Sequence, residues 1–228
     1  MCYRSILSVL IPASLIACSA NKPDLAPAAG ATPAPPGAGS GAVATVEGVS
    51  IEARAGAWKG LPSNLEAESI PLLVEITNNS DHTLRLRYNE MQLVAPDGEM
   101  FNAIPPYRVE GDVAENVDAM FRGTGFLVAP YLSRYYTLYD PFPGVFILDR
   151  GYYTRHVPAS INVALPTADM IRMALPEGVL EPGGSITGFL YFEDIEDLDI
   201  PSVDFTLALV DAQTEETIGT ARIPFTVQ

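Results

Sequence analysis

Residues 69–79 read SIPLLVEITNN, and the apolar positions fall on every second residue: Ile70, Leu72, Val74 and Ile76. This is the period of a strand, because successive side chains of an extended chain point to opposite faces. The run ends in Asn78, Asn79, Ser80 and Asp81, whose short polar side chains bond nearby backbone and favour turns. Directly beyond it, HTLRLRY (82–88) alternates again, with Leu84, Leu86 and Tyr88 on one face and Arg85 and Arg87 on the other. Strands with one apolar face must bury that face against a second layer, so this stretch predicts a sheet packed on a core.

The same pattern recurs on both sides. EMQLVAPDGEMF (90–101) predicts a hairpin around Pro96, Asp97 and Gly98. SITGFLYF (185–192), VDFTLALV (203–210) and TIGTARIPFTV (217–227) predict strands, with Val203, Phe205, Leu207 and Leu209 sharing a face. TVEGVSIEA (45–53) predicts one more near the start. The total is about seven strands, for which two packed antiparallel sheets are the natural solution. The clearest helix signal is TADMIRMAL (167–175), where Thr167 is placed to cap, Asp169 lies in the first turn, and Met170, Ile171, Ala174 and Leu175 form an apolar stripe. Methionines at that spacing read as core residues.

The N-terminus follows a different logic. After MCYRS, the run ILSVLIPASLIA is about as long as the core of an export signal and too short for a comfortable membrane span. It leads straight into Cys18 through Leu15, Ile16 and Ala17. LIAC resembles the lipobox of bacterial lipoproteins. The resemblance implies cleavage before Cys18 and acylation of its sulfur and new amino group, which is enough chains for stable anchoring. It implies a cell-envelope location on a lipid anchor, and Ser19, in place of an aspartate, favours the outer membrane of a Gram-negative bacterium. With Cys2 removed and Cys18 acylated, no thiol remains for a disulfide.

From Ala20 to Ala42, 17 of 23 residues are Ala, Pro or Gly. Such a composition carries no core of its own and predicts a disordered tether. The expected organisation is therefore a signal peptide over 1–17, a lipidated cysteine and tether over 18–43, and one β-sandwich domain over 44–228. The net charge of −15 opposes binding to nucleic-acid phosphates and suits a domain held off a membrane.

A second resemblance rests on the order LLVEITNNSDHTLRLRYNEMQLVAPDGE, LEPGGSITGFLYFE and FTLALVDAQTEETIGTARIPFTV. It is similar to the Ig-like domains of unknown function found on bacterial extracytoplasmic lipoproteins. The residues that carry it are Asn78, Asn79, Asp97, Gly98, Pro182, Gly183, Gly184 and Phe192. These are turn and core positions, so the resemblance implies an all-β, Ig-like antiparallel sandwich and no catalytic residue.

Residues 104–165 do not fit the pattern. Between Tyr107 and Tyr153 lie seven tyrosines and four phenylalanines, interrupted by glycines and prolines. Tyrosine offers large contact area at low entropic cost, which suits an envelope protein or a glycan as partner. Tyr135, Tyr136, Tyr139 and Phe142 are the candidate contacts; the alternative is that these rings cover an open end of the sandwich. In FEDIEDLDIP (192–201), Asp194, Glu196, Asp197 and Asp199 offer oxygen ligands of the kind calcium takes. Without a glycine to turn the chain, and with Ile195 and Leu198 as inward anchors, this stretch reads first as a solvated acidic loop. A metal- or small-ligand-binding accessory module using residues 193–199 is the alternative function. His82 and His156 stand far apart, and no metalloprotease helix motif, nucleophile elbow or phosphate loop is present. The sequence expectation is a noncatalytic, lipid-anchored binding or scaffolding module with no cofactor.

Overall fold

The alternation of residues 70–76 is realised in β5 (Ser69–Asn78), where Ile70, Leu72, Val74 and Ile76 are buried on one face. The computed structural model describes residues 25–116, 160–195, 198 and 200–227. In it β5 is flanked by β12 (Ser185–Glu193) and β4 (Val49–Ala55), and the sheet continues through β3 (Ser40–Val46) to β2 (Thr32–Pro33). All neighbours in this five-stranded sheet are antiparallel.

The facing sheet is seven-stranded. Its spine pairs β13 (Ser202–Asp211) with β14 (Thr217–Val227), and β1 (Leu25–Pro27) lies on the outer side of β14. On its other side β13 meets two short strands in succession, β7 (Met91–Val94) and β6 (Leu84–Leu86). These extend to β8 (Met100–Asn102) and β11 (Gly178–Leu180). Val203, Phe205, Leu207 and Leu209 of β13 pack inward against Leu72, Ile76, Leu190 and Phe192, with Phe192 and Phe205 edge to face at 6.4 Å. The architecture is an all-β antiparallel sandwich consistent with an Ig-like fold, as the alternation predicts.

The turn residues also behave as their chemistry dictates. Gly98 and Gly183 both take positive φ, 93° and 78°, which a side chain would disfavour. Asn78 is wholly buried at one end of the sandwich, where its amide donates to the carbonyls of His82 and Leu180 at 2.8 and 3.1 Å. It thereby ties the turns at 79–83 and 181–184 to the end of β5. Thr167 caps α1 (Ala168–Met173), its hydroxyl accepting from Met170 N–H at 3.3 Å.

Several expectations need correction. TVEGVSIEA is two strands, β3 and β4, turning through Glu47 and Gly48 at positive φ. The stretch expected as a free tether over 18–43 joins the domain from Leu25 onward. Leu25 is 2% exposed and pairs with Val227; Ala34 N–H donates to Gly41 O at 3.0 Å. Strand pairing supplied by neighbours overrides the weak propensity of an Ala/Pro/Gly segment. Among the described residues the sheet pairing therefore starts at Leu25, not at 44. Part of the irregular 104–165 stretch is a ribbon, β9 (Asp112–Asn116) against β10 (Ser160–Ala164). Ile171 is 55% exposed and outside the core stripe of α1, and Leu198 is 48% exposed while Ile195 is buried. In α1 it is Met170 and Met173 that meet the second apolar cluster.

Candidate functional site

β12 is apolar on both faces along FLYF. Leu190 and Phe192 enter the sandwich core, whereas Phe189 and Tyr191 point to the outer face of the five-stranded sheet. There they would meet water, but a second apolar cluster covers them: Ala57, Trp58, Leu65, Val109 and Met170. Trp58 stands edge to face on Phe189 at 5.1 Å and on Tyr191 at 6.2 Å. The outer face is thus divided into an apolar half under this cap and a polar half at Glu75, Thr77, Ser185 and Thr187.

The cap is pinned by polar contacts around residues 58–64. Trp58 Nε1–H donates to the Pro62 carbonyl at 2.7 Å, and Leu61 N–H donates to Asp169 Oδ2 at 2.9 Å. The Thr167 hydroxyl donates to the Leu61 carbonyl at 2.6 Å. Glu115, wholly buried on β9, accepts from the Ser63 backbone N–H and, at 2.8 Å, from the Ser63 hydroxyl. Asn64 adds a bond from its amide to the Ala114 carbonyl at 2.8 Å. A buried carboxylate is tolerated only when its oxygens are bonded, and here both are. The roots of the 117–159 segment, Asn116 and Ser160, stand opposite one another on this fastened ribbon.

Two phenols lie beneath and beside the cap. Tyr191 donates to the Met170 carbonyl at 2.9 Å, and burial, with the charges of Tyr88 and Asp169, raises its pKa. Tyr88 donates to the Leu175 carbonyl at 2.7 Å and is pushed up to about 12 by burial and by Glu177. Both stay protonated at neutral pH and donate hydrogen bonds to these carbonyls.

At the Asn78 end, His82 Nδ1 lies 2.8 Å from Asp211 Oδ2. The Asp211 carboxyl is lowered to about 2, first by the backbone N–H of Thr214, then by His82 and the N–H of Gln213. These bonds organise the turn between β13 and β14. Ser185, within the GGSITG stretch, bonds Thr77 across the strands at 3.1 Å, a strand residue in its ordinary place.

Of the residues singled out by sequence, Cys18, Tyr135, Tyr136, Tyr139, Phe142, His156, Glu196, Asp197 and Asp199 lie outside the described residues. Asp194 is half-buried at the end of β12. Among the described residues no three His, Cys, Asp or Glu side chains converge as metal ligands would, and no helix is long and apolar enough to cross a membrane. Sequence reasoning missed Trp58 and Glu115, and it placed Asp169 in the first turn of the helix without its bond to Leu61. The only available signal was the single tryptophan set in a Gly- and Pro-containing loop, AWKGLPSNL.

Comparison with protein-family models, with curated proteins and with solved structures returns no match to this chain.

Proposed function

We propose that this chain is a noncatalytic, lipid-anchored protein of the cell envelope, held in the outer membrane of a Gram-negative bacterium. It binds or scaffolds another envelope component through the aromatic segment 117–159. The observation that carries the reading is the fastening of β9 and β10. Glu115 and the Ala114 carbonyl bind β9 to Ser63 and Asn64, and antiparallel pairing holds β10 beside it, so the two roots of a tyrosine-rich segment stand in register. Recognition segments are commonly displayed from roots positioned by a scaffold. The envelope address rests on LIAC at 15–18.

The test is cross-linking of the full-length, Cys18-anchored protein in its own envelope, followed by mass spectrometry, beside a Tyr135→Ala/Tyr136→Ala variant. Recurrent links from residues 104–156 to one component, lost in the variant, are the expected result. Links that ignore that segment overturn the contact assignment.

A further inference from the structure

The lipid reading proposed above has a geometric consequence that the sequence alone contradicts. A tether running free to Ala42 would let the domain wander roughly 70 Å from the membrane. The chain is instead fastened long before that. Leu25 is buried and in register with Val227, its carbonyl accepts from the Ser40 hydroxyl at 3.2 Å, and Ala28 N–H donates to the Pro224 carbonyl at 2.9 Å. Farther on, the Arg54 guanidinium donates to the Pro35 carbonyl, so the proline-rich stretch lies on the sheet and releases no slack. Only residues 19–24 remain between Cys18 and Leu25. Seven extended Cα–Cα steps reach about 25 Å at most.

That reach is shorter than the domain. β14, with 11 residues, is about 35 Å long by the strand rise. The registers sort the loops to two ends. Leu25, Ser40, Glu193, Ser202 and Val227 share one end, together with the exposed Leu198; the turns at 46–49, 79–83 and 211–217 share the other. Glu193 and Asp194 stand at the Leu25 end, so the short leash, not charge, sets which end lies nearest the lipid.

We infer that the Leu25 end of the sandwich is the membrane-facing surface, held against the lipid by a six-residue leash, with the Asn78 end directed away from it. This rests on acylation of Cys18. The occupant of that end is the lipid surface itself.

The experiment uses the full-length acylated protein in vesicles of phosphatidylethanolamine and phosphatidylglycerol. The mature chain has no cysteine besides Cys18, so E193C and D81C each provide one labelling site; both positions are exposed and each substitution removes one negative charge. Energy transfer to a headgroup-labelled lipid is expected to be several-fold greater from position 193 than from 81. A Gly/Ser insertion of about forty residues after Ala20 should collapse that difference, since a flexible linker of that length spans roughly the domain's own length. Equal transfer from the two positions in a protein whose mass shows acylated Cys18, or greater transfer from 81, overturns the orientation alone. An unmodified Cys18 overturns the lipid reading and, with it, the orientation.

Discussion

Arg54, on the outer face of β4, holds the carbonyl of Pro35 and at the same time pairs with Glu52. The side chain is nearly buried, and the backbone beneath it is cleared by glycine. A Cβ at Gly37 would stand 2.8 Å from the guanidinium carbon, and one at Gly41 would collide with Arg54 Cγ. The proline-rich stretch is pinned to the sheet by this arginine in addition to its backbone pairing with β3. Arg54→Ala is therefore expected to cost about 1.5–3 kcal/mol, the range for a lost hydrogen bond to a charged group. It should also open residues 30–40 to limited proteolysis while β5 and β13 stay protected. A cleavage pattern unchanged from wild type would remove this role from Arg54.

Glu115 satisfies two donors of Ser63 from a fully buried position. Glu115→Ala leaves the Ser63 N–H without its partner, at about 1–3 kcal/mol, or a fall in melting temperature of roughly 2–4 °C per kcal/mol for a domain of this size. Glu115→Gln keeps one strong acceptor and should recover part of the loss. Differential scanning calorimetry of the two variants decides it, and equal loss in both would mean that the charge matters more than the acceptor.

Trp58 is the only tryptophan, and it reports on the cap alone. The cap cluster is much smaller than the sandwich core. Regions with fewer buried apolar contacts open at lower free energy. In urea the fluorescence of Trp58 should shift to the red before the far-ultraviolet signal of the sheets is lost. Trp58→Ala should remove about 3–5 kcal/mol by leaving a cavity over Phe189 and Tyr191. Coincident transitions by both probes would make cap and sandwich one cooperative unit.

Asp211 and Tyr88 mark opposite limits of pH. Asp211 is lowered in the folded state, so its contribution is complete above the unfolded value near 4 and is lost as pH falls toward about 2. Asp211→Asn should therefore narrow the stability gap to wild type over that acid window. Tyr88 is raised to about 12, so its contribution is present below about 10 and declines as pH rises from there toward 12. Tyr88→Phe should flatten the alkaline limb of the stability curve. Urea midpoints measured across both windows test the two signs together.

Much of the architecture was legible because it is written in short-range patterns. The alternation in β5 and β13, Pro96–Gly98 in the hairpin, Gly183 at positive φ and the Thr167 cap are all local. The cap was not, since its members come from four separated stretches: Trp58 and Leu65, Val109, Met170, and Phe189 with Tyr191. FLYF shows why. A continuous apolar run in a strand says that both faces are covered, yet it cannot say by what.

By itself the sequence determined an antiparallel sandwich, its turns and the helix capped by Thr167, because the 2.0 and 3.6 residue periods and the φ preferences of Gly, Asn and Asp act within a few residues. Tertiary structure alone decided that the chain from Leu25 to Ala42 belongs to the domain and that the outer half of β12 carries a second core. An Ala/Pro/Gly segment has little preference of its own. Its order comes from backbone donors and acceptors on β14 and β3, and from the guanidinium of Arg54, groups that come within reach only after the sheets have formed.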